Sequence, residues 1–422
     1  MKQKEKKVVI VGGGFAGLNC AKTLGNKKGI SVTLIDKQNF HLFQPLLYQV
    51  ATGGLSGANI AVPIRNILSK YKNIQVLMGE VSGIDFENQK VICDFQNIDF
   101  DYLVIASGSS QNYFGKQNWE NFAPGLKTLD EAYEVRKKIY SAFELAERET
   151  DPEKKSALLT FAIIGGGPTG VEMAGTIAEI CKYTFKKEYK NFNPLLQTKI
   201  FLLEGGARIL QSFSSSLSNK AQKDLESLGV NVRINCQVTN LDDTGVWLSD
   251  TFIPCKTIIW AAGVKPSQLA EALGTPLDSK GGRVLVEKDL SIPKHKNTFV
   301  IGDLAYFKAS EQSLPLPGLA PVAIQQGICV AKNILNDLCH KKRKDFKYFD
   351  KGQMATIGYK KAIVEFSKIK ISGFIAWLTW VFVHIYYLIG FKNRFIVMTD
   401  WIISYFTHAK GARLILVKRD KK

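Results

Sequence analysis

Residues 8–17 read VVIVGGGFAG, and this stretch decides the fold. Four apolar, mostly β-branched residues predict a buried strand, and Gly12-x-Gly14-x-x-Gly17 predicts a tight turn that opens a helix. In such a unit the first glycine makes the turn, the second lets the backbone approach a pyrophosphate, and the third lets the helix pack on the strand. A second apolar strand ends at Asp36, whose carboxylate can bind ribose hydroxyls. The spacing therefore predicts a dinucleotide-binding unit.

The same pattern returns in the middle of the chain. Residues 161–164, FAII, predict a strand, Gly165-x-Gly167-x-x-Gly170 predicts the turn, and the next strand ends at Glu204. This acid comes later than is usual after such a loop, which predicts an insertion over residues 181–198. Each half also contains a strand that ends in a small-residue turn, namely Ala106-Ser107-Gly108 and Ala262-Gly263. Two loops with two matching turns predict two dinucleotide sites.

Length, cysteine spacing and charge narrow the class of protein. The 422 residues suggest two or three domains. Seven cysteines form no CxxC motif or close pair, so neither a metal site nor a local redox disulfide is predicted, and the cysteines are expected to be reduced. The net charge is +18, and residues 331–422 contain 19 Lys or Arg against 6 Asp or Glu. This basic end could face anionic lipid or nucleic acid, but its aromatic residues lie inside an uncharged run, which argues against nucleic acid.

Residues 371–391 contain no Asp, Glu, Lys or Arg. As one helix they would be about 31 Å long, enough to span a bilayer. Basic residues flank the run on both sides, however, and a span would translocate a basic C-terminus against the usual bias. Residues 394–408 mix apolar and polar side chains and predict an amphipathic helix. We therefore expect two helices that lie in one leaflet as a monotopic attachment, with a buried core helix as the alternative.

The chain resembles the two-dinucleotide flavoprotein oxidoreductases, and specifically the type II NADH:quinone oxidoreductases, the single-subunit alternative NADH dehydrogenases. Residues 39–53, 165–172, 302–303 and 320–327 carry the resemblance, which extends from Val8 to about Arg394. It implies an α/β fold of the glutathione-reductase type, with two Rossmann-like domains and a C-terminal region of amphipathic helices that attaches to the membrane. The implied segments are an FAD-binding domain in two parts, 1–115 and 296–345, an NADH-binding domain, 116–295, and a membrane-anchoring region, 346–422.

The resemblance also implies which loop binds which cofactor. The first loop and its neighbours would bind FAD through Gly12, Gly14, Phe15, Ala16, Gly17, Asp36, Lys37, Gln44, Pro45, Thr52, Ala106, Ser107, Gly108, Gly302, Asp303 and Gln325. The second would bind NADH through Gly165, Gly167, Pro168, Thr169, Gly170, Glu172, Glu204, Ala262 and Gly263. Asp303 would hold the ribityl chain of FAD. A carboxylate at Glu204 suggests NADH over NADPH, because it would repel a 2′-phosphate.

Four residues are candidates for the chemistry itself. Gln325 and Gln326 match the family's quinone-site motif, with Ile324 where many members have alanine, and otherwise they are ordinary polar helix residues. Glu172 would lie near the flavin and supply protons. Alternatively it is an acid at a helix N-terminus, worth under about 1 kcal/mol. Lys392 corresponds to a family lysine near the quinone.

The implied reaction transfers a hydride from NADH to the flavin and then two electrons to a membrane quinone, without ion pumping. The expected location is peripheral, on the cytoplasmic face of the cell membrane, against an anionic surface. Nucleic acid is not an expected partner, and the oligomeric state stays open, with a homodimer as one option. The main alternative is a sulfide:quinone oxidoreductase. That reaction needs cysteines converging on the flavin, and Cys329 has no evident partner in the sequence.

Overall fold

The computed structural model describes residues 5–186, 188–408 and 410–415, and the chain divides into two compact units. The first unit contains residues 1–42, 61–110 and 264–351, and the second contains residues 43–60, 111–263 and 352–422. This division differs from the four predicted segments mainly at three places. The predicted anchoring region does not form a unit of its own, because residues 352–422 join the second unit. Residues 43–60 join the second unit because they pack on its helix Leu129–Arg148, and residues 264–295 belong to the first unit.

The first unit is built on a six-stranded sheet. In spatial order its strands are Ser291–Ile292, His295–Val300, Tyr102–Ile105, Lys6–Val11, Ile30–Asp36 and Ile74–Met78. All neighbours are parallel except the first pair. The central strand is buried on both faces from Val8 to Val11, as the uninterrupted apolar run predicts.

Smaller elements surround this sheet. The other strands of the unit are Phe40–Leu42 with Ala61–Pro63, Val81–Asp85 with Lys90–Cys93 and Ile98–Asp99, and Val284–Leu285 with Ala305–Tyr306. Its helices are Phe15–Leu24, Ile64–Leu68, Leu269–Ala272 and Ala320–Leu338, with a 3₁₀ turn at Gly302–Leu304. Two of these helices, Phe15–Leu24 and Ala320–Leu338, pack closely against each other. The approach requires glycine at position 327, since an added Cβ there would lie 2.2 Å from the carbonyl oxygen of Ala16. This close approach places Ala320–Leu338 against the first glycine loop.

The second unit repeats the architecture with four parallel strands. Their spatial order is Val230–Arg233, Lys199–Leu203, Thr160–Ile164 and Thr257–Trp260. An antiparallel sheet of Val238–Leu241, Gly245–Leu248 and Phe252–Pro254 accompanies them. The short strands Ser109–Gln111 and Val264–Pro266 lie where the chain passes from one unit to the other.

The helices of this part are Leu47–Ala51, Gly57–Ile60, Leu129–Arg148, Pro152–Leu158, Pro168–Glu179, Pro194–Gln197 and Ser215–Glu226, with 3₁₀ turns at Gln44–Leu46 and Gln117–Asn121. Pro168–Glu179 continues as a π-helical turn, Ile180–Thr184, into the predicted insertion. The insertion packs on Leu129–Arg148, where the Phe185 and Phe143 rings lie 4.7 Å apart.

The C-terminal part begins with an antiparallel sheet of Gln353–Gly358, Lys361–Phe366 and Ile369–Gly373, followed by the helices Phe374–Tyr387 and Phe391–Thr407. A single helix over residues 371–391 is therefore wrong. Ile371 pairs with Val364 in the sheet, and Gly373, with φ +78°, turns the chain into a helix of only 14 residues. Among the described residues, every helix is too short or too polar to cross a bilayer.

Candidate active site

The three glycines of the first loop have the geometry that their predicted roles require. Gly12 has φ +101°, and an added Cβ would lie 2.3 Å from the carbonyl oxygen of Ala106. At Gly17 an added Cβ would lie 1.9 Å from the carbonyl oxygen of Gly12. At Gly14 an added Cβ would meet nothing within 4 Å. The first and third positions are therefore closed to any side chain, and the second leaves open the side from which a pyrophosphate can approach.

A fourth glycine, Gly13, lies between the first and second motif glycines and is called the middle glycine below. Both its N–H group and its carbonyl group make hydrogen bonds. Its N–H donates to Asp36 Oδ2 at 2.5 Å, and its carbonyl oxygen lies 3.0 Å from His41 Nδ1. Asp36 Oδ1 accepts a second bond from the Gln38 N–H at 2.7 Å. Burial raises the pKa of the Asp36 carboxyl, and the two backbone hydrogen bonds partly offset that shift. Asp36 thus fixes the loop in addition to its predicted role at a ribose.

The turn that carries Asp303 is also held from within the first unit. Gly302, with φ +74°, donates its N–H to Gln326 Oε1 at 2.7 Å. Asp303 Oδ2 accepts a hydrogen bond from Ser109 Oγ at 2.6 Å. Gln326 is only 1% exposed, so the structure places it as a support of the Asp303 turn.

Gln325, its neighbour, is partly exposed and pairs with the backbone of Phe349 through both ends of its amide. Gln325 Nε2 donates to the Phe349 carbonyl at 2.9 Å, and Gln325 Oε1 accepts from the Phe349 N–H at 3.0 Å. Both glutamines of the predicted quinone motif therefore make hydrogen bonds within the protein.

The remaining residues predicted for FAD fall in two places. In the first unit, the Ala106 N–H donates to the Val11 carbonyl at 2.7 Å, Ser107 Oγ lies 2.7 Å from Ser267 Oγ, and Gly108 has φ +70°. Phe15 is partly exposed, Ala16 is buried and Lys37 is exposed.

Gln44, Pro45 and Thr52 lie in the second unit. Gln44 Nε2 donates to the Lys127 carbonyl at 3.0 Å, and the fully buried Thr52 donates its hydroxyl to the Tyr48 carbonyl at 2.8 Å. The Thr52 hydroxyl therefore stabilises the end of its own short helix.

The second loop reproduces the first. Gly165 has φ +110°, and an added Cβ would lie 2.6 Å from the carbonyl oxygen of Ala261. An added Cβ on Gly170 would lie 1.9 Å from the carbonyl oxygen of Gly165, whereas one on Gly167 would meet nothing within 4 Å. Pro168 and Thr169 start the helix at this open side, and Pro168 is exposed.

Glu204 holds this loop as Asp36 holds the first. Its Oε2 accepts from the Gly166 N–H at 2.7 Å, and its Oε1 accepts from the Gly206 N–H at 2.7 Å and from Gln211 Nε2 at 3.1 Å. At the other small-residue turn, Ala262 is partly exposed and Gly263 is exposed with φ +80°.

Glu172 lies in the first turns of the second loop's helix. Burial raises the pKa of its carboxyl to about 8, and a hydrogen bond from the Thr356 backbone partly offsets that shift. Glu172 in turn raises the pKa of the buried Tyr48 phenol, although burial is the larger cause there. The carboxyl therefore carries a proton at neutral pH, as a proton-supplying group requires.

Tyr48 begins a hydrogen-bond chain to the last helix that the sequence reasoning missed. Gln49 Nε2 donates to Tyr48 Oη at 3.0 Å, and Trp401 Nε1 donates to Gln49 Oε1 at 2.7 Å. Asn59 Nδ2 adds a bond to Asp400 Oδ2 at 3.2 Å. Asp400 and Trp401 of the last helix thus face the protein, a placement that the charge pattern of the helix alone does not reveal.

Lys392, the remaining catalytic candidate, is exposed in the first turn of that helix. Two other basic residues, in the basic C-terminal end, have acidic partners within the protein. Arg413 Nη1 bonds Glu188 Oε2 at 2.6 Å, and Lys410 is partly buried, with Glu179 as its electrostatic partner. Burial lowers the pKa of Lys410.

Both loops fit a dinucleotide. Each loop follows a buried parallel strand, and each helix starts from a glycine that has no side chain to cap the helix N–H groups. Each leaves one glycine open on the side where a pyrophosphate would bind. The residues present therefore fit FAD and NADH as the two ligands that the resemblance implies.

Comparison with known proteins agrees with this geometry. Residues 6–327 match the family described as pyridine nucleotide-disulphide oxidoreductase, which defines the class of two-dinucleotide oxidoreductases. Residues 351–408 match the family described as NDH2 C-terminal domain. Over 424 aligned residues the chain is 40% identical to the type II NADH:quinone oxidoreductase Ndh of Mycobacterium tuberculosis, covering 97% of this chain and 90% of that protein.

The chain therefore belongs to the type II NADH:quinone oxidoreductase family. The predicted α/β fold, the FAD and NADH cofactors and the NADH dehydrogenase activity with a quinone are confirmed at this level.

Two of the solved structures that share the fold are the following. NDH2 from Plasmodium falciparum, in complex with NADH, aligns with a TM-score of 0.87 at 22% identity and covers 97% of this chain and 99% of that chain. The sulfide:quinone oxidoreductase of Aquifex aeolicus aligns with a TM-score of 0.76 at 20% identity, covering 96% of each chain. All seven cysteines of the present chain are free thiols, and the sulfide:quinone oxidoreductase is the more distant of these two structural matches.

Proposed function

We propose that this chain oxidises NADH and passes two electrons to a membrane quinone, without pumping ions. The proposal is carried by the two glycine loops, which share one backbone geometry and therefore fit two dinucleotides. The first loop would hold the pyrophosphate of FAD and the second that of NADH. FAD, when bound, accepts a hydride from NADH and returns two electrons to the quinone.

Glu204 is proposed to select NADH. Its carboxylate is fixed by two backbone N–H groups and by Gln211, at the end of the strand where the adenosine ribose binds in this fold. A 2′-phosphate placed there would meet a fixed negative charge.

Glu172, Gln325 and Lys392 are proposed to serve the quinone. Glu172 holds a proton at neutral pH because its carboxyl pKa is about 8. Gln325 could exchange its hydrogen bonds with the Phe349 backbone for bonds to a quinone carbonyl. Gln326 is proposed to act only through the Asp303 turn that it supports.

The two C-terminal helices are proposed to attach the enzyme to the cytoplasmic face of the membrane. Their large exposed apolar residues are Phe374, Ile375, Leu378, Phe382, Tyr386, Phe391, Phe395, Met398, Ile402, Ile403 and Phe406. Exposed lysines at 368 and 370 precede this set and would face anionic lipid phosphates.

Surface substitution tests this attachment better than removal of the tail. Trp380 and Val397 are buried in the fold, so deleting both helices would expose the core. We expect the double variant Phe395→Glu, Phe406→Glu to leave the membrane fraction while keeping FAD. Leu196→Glu, at a residue 78% exposed elsewhere in the second unit, is the control and should remain bound. High salt alone should not release the unaltered protein, because salt screens charge but not apolar burial. Retention of the double variant on membranes would contradict the proposal.

The activity is tested by mixing the purified protein anaerobically with NADH, NADPH or sulfide and then adding a quinone. We expect NADH to bleach the flavin absorbance and the quinone to restore it. Bleaching by sulfide but not by NADH would contradict the proposal.

A further inference from the structure

His41 is a buried residue to which the sequence pattern gives no role. It lies in the strand Phe40–Leu42, it is 2% exposed, and its Nδ1 is 3.0 Å from the carbonyl oxygen of Gly13. Because a carbonyl oxygen only accepts hydrogen bonds, Nδ1 must carry the hydrogen. Nε2 then bears the lone pair, and it has no hydrogen-bond partner among the described residues. Burial lowers the pKa of this histidine to about 4, so the ring is neutral at physiological pH.

The second loop has the same hold on its middle glycine, made by a different group. The Gly166 N–H donates to Glu204, and the Gly166 carbonyl accepts from the Leu210 N–H at 2.7 Å. In the first loop Asp36 replaces Glu204, and the His41 side chain replaces the Leu210 backbone. The two loops differ in sequence around the glycines, yet in both the middle glycine, Gly13 or Gly166, is hydrogen-bonded through its N–H group and through its carbonyl group.

We propose that His41 is a positioning residue for FAD: together with Asp36 it fixes the peptide groups on both sides of Gly13, so that the turn presents the N-terminus of helix Phe15–Leu24 to the FAD pyrophosphate. The inference rests on the proposed function only in taking FAD as the ligand of the first loop. A purely space-filling histidine would not need its N–H, and the Phe15 ring, 5.0 Å away and edge-on, shows that the site also packs the ring. The two roles are separated by variants that keep volume but change the donor.

The test uses the purified, FAD-loaded, full-length protein and follows FAD release by its fluorescence. His41→Leu keeps an apolar side chain of similar size but removes the donor, and we expect it to release FAD at least about tenfold faster. His41→Asn restores an N–H donor near the Nδ1 position and should recover most of the slow release. His384→Leu is the matched control, since His384 is also buried, also bonds a backbone carbonyl and lies in the second unit. It should leave FAD release unchanged.

Chemical rescue gives a second measurement that does not depend on the leucine variant folding. In His41→Ala, added imidazole can enter the vacated space and donate to Gly13, whereas 1-methylimidazole has no N–H to donate. We expect imidazole to slow FAD release and 1-methylimidazole to leave it fast. Equal rescue by both compounds, rescue by neither, or wild-type release from His41→Leu would overturn the proposal. Loss of FAD binding in the unaltered protein would instead overturn the proposed function, so the two failures are distinguishable.

Discussion

The two glycine loops have the same close contact at their first glycine. A Cβ added to Gly12 would overlap the Ala106 carbonyl in the first loop, and a Cβ added to Gly165 would overlap the Ala261 carbonyl in the second. In each loop a Cβ added to the third motif glycine would overlap the carbonyl oxygen of the first, whereas a Cβ added to the second would meet nothing within 4 Å. The loops differ in the groups that bond the glycine between the first and second motif glycines, which is Gly13 in the first loop and Gly166 in the second. The first uses the side chain of His41, 28 residues away from Gly13, whereas the second uses the backbone of Leu210.

This difference separates what the dinucleotide turn requires from what is free to vary. The three glycines and the acid are common to both loops because sterics and backbone satisfaction demand them. The donor to the middle carbonyl can be any N–H group that the fold brings within reach. The first loop therefore depends on a residue type at position 41, while the second depends only on the path of the chain at position 210.

The largest expected effect comes from adding a methyl group to the first glycine of each loop. Gly12→Ala should abolish FAD binding, because the new Cβ would overlap the Ala106 carbonyl and the positive φ costs about 1–3 kcal/mol. Gly165→Ala should retain FAD but lose reduction of the flavin by NADH. The FAD content of the purified protein and anaerobic flavin bleaching measure the two outcomes separately.

Gly14→Ala is the control for overlap, since its Cβ would meet nothing within 4 Å. The FAD-free form of this variant should unfold at the temperature of the FAD-free unaltered protein, and only its affinity for FAD should fall. If Gly12→Ala kept FAD as firmly as Gly14→Ala, close packing of the first glycine would not be what defines the loop.

Both loops were predictable from sequence because all their requirements lie within a short stretch, apart from one acid at the end of the next strand. The role of His41 was not predictable from the sequence. Its hydrogen bond to Gly13 forms only because the strand Phe40–Leu42 returns beside the loop. A lone histidine five residues after Asp36, in an otherwise apolar stretch, was the available signal.

The tail shows the same limit. Charge counting showed only that the basic end, which includes Lys410 and Arg413, could face lipid. In the structure the Ala412 N–H donates to the Gly53 carbonyl at 3.0 Å, and the Ala412 carbonyl accepts from Arg136 Nη1 at 3.0 Å. Contacts between residues hundreds of positions apart leave no periodicity in the sequence.

A smaller effect is expected from neutralising the acid of each loop. Glu204→Gln should narrow the preference for NADH over NADPH by about tenfold, or about 1.4 kcal/mol, because the fixed negative charge is removed. The ratio of kcat/KM for the two nucleotides measures it. Asp36→Asn is the matched variant of the first loop and should weaken FAD binding without changing that ratio. An unchanged ratio in Glu204→Gln would show that another group selects the nucleotide.

The smallest expected effect concerns the second residue after each third glycine, which is Asn19 in the first helix and Glu172 in the second. Asn19 donates its amide to the Phe15 carbonyl at 2.7 Å and cannot titrate, whereas burial raises the pKa of Glu172 to about 8. Glu172 is therefore protonated below about pH 8 and charged above it. If it supplies protons to the quinone, flavin reoxidation should slow as the pH rises through 8, and Glu172→Gln should lose that decline while turning over more slowly at neutral pH.

Stability gives the same group a second readout with a defined sign. The pKa of the Glu172 carboxyl is near its ordinary value of 4.5 when the chain is unfolded and about 8 in the folded protein. The contribution of this carboxyl to the free energy of unfolding is therefore fully present below pH 4.5 and is lost as the pH rises toward 8. The free energy of unfolding of the unaltered protein should therefore fall over this range relative to that of Glu172→Gln. Glu153→Gln, at an exposed position, should follow the unaltered protein in both measurements. If the kinetic decline persisted in Glu172→Gln while the difference in stability appeared, the raised pKa would be real but the proton would come from another residue.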